Sequence, residues 1–202
     1  RYVTDENLPV LYVLTGHGEA ELSSSFESAV EKENISVSTL SLLTVDEIPG
    51  DAACILINAP KNDLSEEECD MLLSYLQSGG KLILLTDPLE DGMTRENLDA
   101  LMGEYGMTEV QGIILETDRE HYAFGAPYYL LPELQYHSIT SPLRENGYYT
   151  LLPIAHGITT DASLREDLSV TELLTASSSS FSELAGYAMS DYEQEADDPK
   201  CP

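Results

Sequence analysis

Apolar residues fall in short blocks along this chain, separated by polar, glycine-containing turns. Residues 10–15 (VLYVLT) are apolar and too few for a helix, so they predict a buried strand. Leu22, Phe26, Ala29 and Val30 then repeat at i, i+4, i+7 and i+8, the spacing of one helix face. Between Ile35 and Leu42, Ile35, Val37 and Thr39 alternate with their neighbours, which predicts a second strand. Residues 53–58 (ACILIN) predict a third. Ser65-Glu66-Glu67-Glu68 reads as a capping box, with Leu64 and Cys69 placed as its hydrophobic staple. Cys69, Leu72, Leu73 and Leu76 make one stripe, and Gly79-Gly80 ends that helix. Residues 81–86 (KLILLT) predict a fourth strand, apolar enough for burial on both faces. Leu98, Leu101, Met102 and Tyr105 form a further stripe that Gly106 terminates.

Strands alternating with helices imply an α/β fold: a three-layer open sheet, mostly parallel, with helices on both faces. A 2-1-3-4 strand order, the flavodoxin-like one, puts the switch point between the first and third strands. Beyond residue 107 the pattern weakens. Residues 113–116 and 122–124 can pair as strands, and 127–137 carry prolines that forbid a long helix. Ser138 to Leu143 reads as a turn or helical start, 148–152 and 170–175 as strands, and Ser177–Ser180 as a loop. The expected organisation is an α/β core with a ligand cleft over 1–107, extra strands on the same domain over 108–190, and an acidic mobile tail over 191–202.

In such sheets ligands bind where strands end and helices begin. Two corners fit. After the first strand stands Gly16-His17-Gly18-Glu19, where glycines allow positive φ and close backbone approach. His17 is a candidate acid, base or ligand, and Glu19 a candidate partner. A tight turn with a helix-capping Glu explains the same residues equally well. After the third strand stand Asn58, Pro60 and Asn62, which can hydrogen-bond a polar ligand or simply make the turn. Asp87, after the fourth strand, is placed similarly. The expected ligand-binding set is therefore Gly16, His17, Gly18, Glu19, Asn58, Pro60, Asn62 and Asp87.

Other chemistry finds little support. No GxGxxG or phosphate-loop lysine is present, and the fourth strand ends in Thr86-Asp87-Pro88 rather than a GxSxG nucleophile elbow. Cys54 lies mid-strand, Cys69 on a packing stripe and Cys201 in a polar tail. His121, His137 and His156 form no metal spacing, Asp87, Glu90 and Asp91 form no calcium loop, and no cofactor is implied.

Composition narrows the partners. With 9 Lys+Arg against 37 Asp+Glu, the net charge is −28, which argues against nucleic acid and anionic membranes. No stretch reaches the ~20 apolar residues of a membrane span. Arg1 at the start and Lys200-Cys201-Pro202 at the end suggest a soluble piece of a longer protein, which would meet the membrane only through other segments.

LTGHGE after the first strand, APKNDLSEEE before the second helix and YLQSGGKLILLTDP together resemble the GldG-like auxiliary proteins of ABC transporters. That domain is related to one in an intraflagellar transport protein. Tyr136 to Thr140, Leu152 to Ile158 and Leu173 to Ser178 extend the resemblance, in order, over roughly residues 8–180. One departure is Lys200-Cys201-Pro202, where relatives often carry Lys-Gly-Pro. The resemblance implies a fold similar to class I glutamine amidotransferases, without their nucleophile. It also implies a non-catalytic binding or scaffolding domain on the extracytoplasmic face of a bacterial membrane, beside an ABC permease and ATPase. Some members serve gliding motility, to which nothing in this sequence is specific. A small polar or sugar-like ligand is the expected small-molecule partner. The alternative is a hydrolase acting on such a substrate with His17 and Glu19 as acid/base pair. A module for protein contacts alone, its cleft filled by Tyr128, Tyr129 or Tyr136, is a third reading.

Overall fold

The structure, a computed structural model, describes residues 8–90, 92–161 and 164–201; Asp91 and Pro202 lie outside it. Its contacts divide into two compact units: residues up to Thr86 with Thr94–Leu101, and Asp87–Met93 with the chain from Met102 onward.

In the first unit β1 (Val10–Leu14), β2 (Ser36–Leu40), β3 (Ala52–Asn58) and β4 (Leu82–Leu85) form one parallel sheet in the order β2-β1-β3-β4. The order anticipated from the βα alternation is the one found. Side chains alternate across this sheet. Leu14, Leu40, Ile55 and Ile57 point to one face, where α2 (Glu66–Gln77) adds Cys69 and Leu72, and α3 (Glu96–Glu104) adds Leu98 and Leu101. Leu11, Val13 and Leu56 point to the other, packed with Leu22 and Val30 around α1 (Ser24–Lys32).

The helix ends follow from local sequence. The Ser65 hydroxyl accepts the Glu68 N–H at 3.3 Å while the Glu68 carboxylate accepts the Ser65 N–H at 2.9 Å, so the capping box is complete. Leu64 and Cys69 are buried in the same cluster. At the other end Gly79 N–H donates to Leu76 O and Gly80 N–H to Tyr75 O, both at 3.0 Å, the Schellman closure. The start of α3 is capped from a distance. Asp63 accepts the N–H groups of Asn97 (2.9 Å) and Leu98 (3.2 Å), and Asn97 Nδ2 donates to Leu64 O (2.7 Å).

Two expectations fail here. The helix after β1 starts only at Ser24, because Ser23 caps it, so Leu22 precedes it and Phe26 and Ala29 are exposed. β4 is an edge strand buried on one face only. Leu82 and Leu84 pack inward, whereas α1 lies against β2 at the far edge and leaves Ile83 and Leu85 exposed. An apolar run does not distinguish one buried face from two.

The second unit is built from antiparallel pairs: β5 (Met107–Glu109) with β10 (Ile158–Thr160), β6 (Ile113–Glu116) with β12 (Ser180–Glu183), β7 (Tyr129–Leu130) with β9 (Leu152–Pro153), and β8 (Glu133–Leu134) with β11 (Leu174–Thr175). A short helix, α4 (Ser141–Glu145), starts at the anticipated turn. Ile113, Leu115 and Phe181 form the centre, with Tyr128 and Met189 against them. The strand 113–116 therefore pairs with 180–183 and not with 122–124; Tyr122 bridges Leu130 instead. The serine run 177–180 hides β12, whose buried Ser180 hydroxyl is satisfied by Ser177 O at 2.7 Å. The end of the acidic tail runs along β12: Ser182 N–H donates to Pro199 O (2.9 Å) and Cys201 N–H to Ser180 O (3.1 Å).

Candidate functional site

The 2-1-3-4 order brings the turns after β1 and β3 side by side, and they are bonded to each other. Ala20 N–H donates to Asn58 O (2.8 Å), and Asn58 Nδ2 donates to Ala20 O (2.7 Å). The His17 carbonyl accepts three donors: Lys61 N–H and Asn62 N–H at 2.9 Å and Asn62 Nδ2 at 3.2 Å. Gly16 and Gly18 have φ of 129° and 76°. A Cβ on Gly18 would sit 3.3 Å from Lys61 Cβ, so glycine serves both the turn and the contact between turns.

His17 is only 5% exposed. Its Nδ1 lies 3.3 Å from Glu19 Oε1, and its Nε2 lies 3.0 Å from Glu68 Oε2. The Glu19 side chain turns back to accept the His17 N–H at 2.8 Å. Every polar group of His17 is thus engaged within the protein. With a carboxylate at each ring nitrogen, the full set of hydrogen bonds needs two ring protons or a proton on one carboxyl. Glu68 Oε2 serves both the helix cap and the imidazole, while Oε1 is buried without a hydrogen-bond partner. Beside it, burial and then the charges of Asp63, Glu68 and Asp70 push the Cys69 thiol up to about 12, which keeps it protonated and unreactive.

Seven of the eight anticipated residues meet at this corner: Gly16, His17, Gly18, Glu19, Asn58, Pro60 and Asn62. Pro60 is buried, and Lys61 and Asn62 cover the His17 carbonyl. Asp87 is exposed and belongs to the second unit, where its charge and that of Glu90 add to burial in raising the Tyr187 phenol. Sequence reasoning gave Glu68 a role only as a cap and gave Asp63 none. The capping box itself was the signal that could have placed the Glu68 carboxylate beside the β1 turn. A depression of about 870 Å3 in the first unit is lined by none of these residues. It follows α2 from Glu67 to Ser78 and the segment Asp46–Ala53.

The remaining histidines have structural partners. His137 Nδ1 accepts the Ile139 N–H (3.2 Å), His156 lies 3.7 Å from Glu109, and His121 lies 3.9 Å from Glu133. Among the described residues no three His, Cys, Asp or Glu side chains converge as a metal site, and no helix is long and apolar enough to cross a membrane.

The sequence profile of a family described as an ABC-type uncharacterized transport system matches residues 8–124, more than half of the chain. No curated protein matches. Among solved structures the chain is similar to one described as the mmIFT52 N-terminal domain, with a TM-score of 0.61 at 14% identity, over 85% of this chain and 74% of that one. At that identity the likeness is one of fold. Both findings agree with the resemblance carried by LTGHGE, APKNDLSEEE and YLQSGGKLILLTDP. The family match gives the protein a transport-associated role and association with an ABC transport system. By its sequence from β1 through the Tyr122–Phe124 segment, the chain belongs to the ABC-type uncharacterized transport system family.

Proposed function

We infer that this chain is a non-catalytic, extracytoplasmic binding or scaffolding domain of a membrane-anchored auxiliary protein that works beside an ABC permease and its ATPase. The observation that carries the non-catalytic part is the state of His17. It is the best candidate acid/base in the sequence, yet it is buried, with both ring nitrogens against carboxylates and its main chain bonded to the neighbouring turn. A general base needs an open face toward the proton it takes. Here the same residues lock two turns together and fix the start of α2. Family membership supports the transport setting.

A small polar or sugar-like ligand at this corner is the second reading, favoured by one atom. Glu68 Oε1 is buried without a partner and can accept from a hydroxyl or ammonium group. The experiment that separates the readings uses His17→Gln. On the scaffold reading the variant melts lower and co-purifies less with a co-expressed ABC permease and ATPase, and the parent chain shows no ligand-dependent stabilisation. A raised melting temperature with any sugar or polyol, lost in Glu68→Gln, overturns that reading in favour of a binding cleft.

A further inference from the structure

Along α2, Glu67, Asp70, Ser74 and Ser78 recur at helical spacing and line one wall of the groove of about 870 Å3. Residues 46–50 form the opposite wall. Ile48, Pro49, Ala52, Ala53 and Met71 lie half-buried between them, and Ile48 and Met71 also pack on the aliphatic core. Carboxylates stand exposed on both sides, Asp46 and Glu47 on the loop and Glu67 and Asp70 on the helix. Among the described residues that line the groove, Lys81 alone is basic. Residues 78–80, at the end of α2, also line it, and the last turn of that helix carries no basic residue, so its dipole adds negative potential there. Tertiary contacts hold the groove in shape. The Tyr75 hydroxyl donates to Ala52 O at 3.2 Å and accepts the Lys81 N–H at 3.2 Å, which ties the end of α2 to the starts of β3 and β4. Gly80 lies against the Tyr75 ring, where an added Cβ would come within 2.4 Å.

We propose that this groove receives a short, extended, basic segment of a partner protein. Its apolar side chains rest on the floor, and its Lys or Arg side chains reach the carboxylates on the two walls. Charge decides the occupant. A second copy of this chain, a nucleic acid or an anionic bilayer would bring further negative charge to a chain of net −28. A cationic segment instead meets carboxylates from both sides. Shape decides the conformation. From Glu67 to Ser78 the helical wall runs about 17 Å at ~1.5 Å per residue, the span of about five residues of extended chain at ~3.3 Å each. Alternation along such a segment sends every second side chain down to the half-buried floor. The others point toward the rim, where long basic side chains keep their charged ends in water. Because the walls are fixed before binding, little ordering cost falls on this side of the interface. The inference does not depend on the transport reading.

Fluorescence anisotropy of a labelled Lys-Leu-Lys-Leu-Lys peptide titrated with the 1–202 chain tests it, in about 20 mM and about 0.2 M salt. Saturable binding that weakens with salt is expected. Glu67→Lys with Asp70→Lys should weaken it about tenfold or more, and so should Asp46→Lys with Glu47→Lys, which lie outside any helix. Glu27→Lys with Glu31→Lys, the same change of charge on α1, should leave the affinity within about twofold, with circular dichroism confirming the fold of each variant. A labelled Lys-Gly-Lys-Gly-Lys peptide, equal in charge but without apolar side chains, should bind about tenfold or more weaker. No binding at low salt overturns the proposal, as does an equal loss in the α1 pair and the groove pairs. Equal binding of the two peptides overturns it too, since charge alone would then account for the contact. So does displacement of the peptide by spermidine at equal or higher affinity, which would assign the groove to a polyamine.

Discussion

The two units solve the burial problem in opposite ways. The first joins four strands into one parallel sheet and covers it with helices, so that two clusters of aliphatic residues share the load. The second has four separate two-stranded pairs, several only two residues long, around the small group Ile113, Leu115 and Phe181. Prolines at 127, 132 and 153 contribute to the difference, because each removes a backbone donor that a longer ladder would need. Stability in the first unit is distributed over repeated βα layers. In the second it rests on few side chains and on long-range pairing, as between β6 and β12.

The sharpest break of that contrast is Phe181→Ala, expected to cost about 3–5 kcal/mol, against about 2–5 kcal/mol for Leu72→Ala in the first unit. Urea denaturation measures the totals and hydrogen exchange shows which amides lose protection. Phe181→Ala should expose β6 and β12 while the parallel sheet stays protected; equal loss in both units would erase the distinction drawn here. Next comes Asp63→Ala, which strips the cap from α3 and should cost about 1–2 kcal/mol in a thermal melt.

A smaller effect follows from Cys69. Its folded-state thiol is held up at about 12, above the ordinary value of 9.0. The folded state therefore keeps a proton that the unfolded chain releases. This contribution is fully present below about pH 9 and is lost as pH rises from there toward 12. Urea midpoints over that window should fall less steeply in Cys69→Ala, and Cys69 should resist a thiol reagent at pH 8 until the first unit unfolds. Smallest is Phe26→Ser on the loosely covered face of α1, expected to shift stability by no more than about 0.5 kcal/mol. A larger loss would mean that α1 is held more firmly than its exposure indicates.

Much of the first unit was legible because its signals are local. The capping box at Ser65–Glu68, the glycine pair at 79–80 and the stripe Leu98–Leu101–Met102 each act within a few residues, and βα alternation leaves few strand orders to choose from. The second unit was less so. Nothing near Ile113 names Ser180–Glu183 as its partner, and a serine-rich strand with one buried Phe looks like a loop until its hydroxyls find carbonyls.

The sequence by itself determined the α/β class, the strand order, the α2 and α3 stripes, and the meeting of Gly16–Glu19 with Asn58–Asn62. Only the tertiary structure decided what that meeting means. Hydrophobic period and turn chemistry depend on neighbours in the chain, whereas the burial and partners of an ionisable group depend on residues far along it. His17 is sealed by Glu68, fifty-one positions later, and α3 is capped by Asp63 across thirty-four. That is why two turns that resemble an open site in sequence form a closed joint in space.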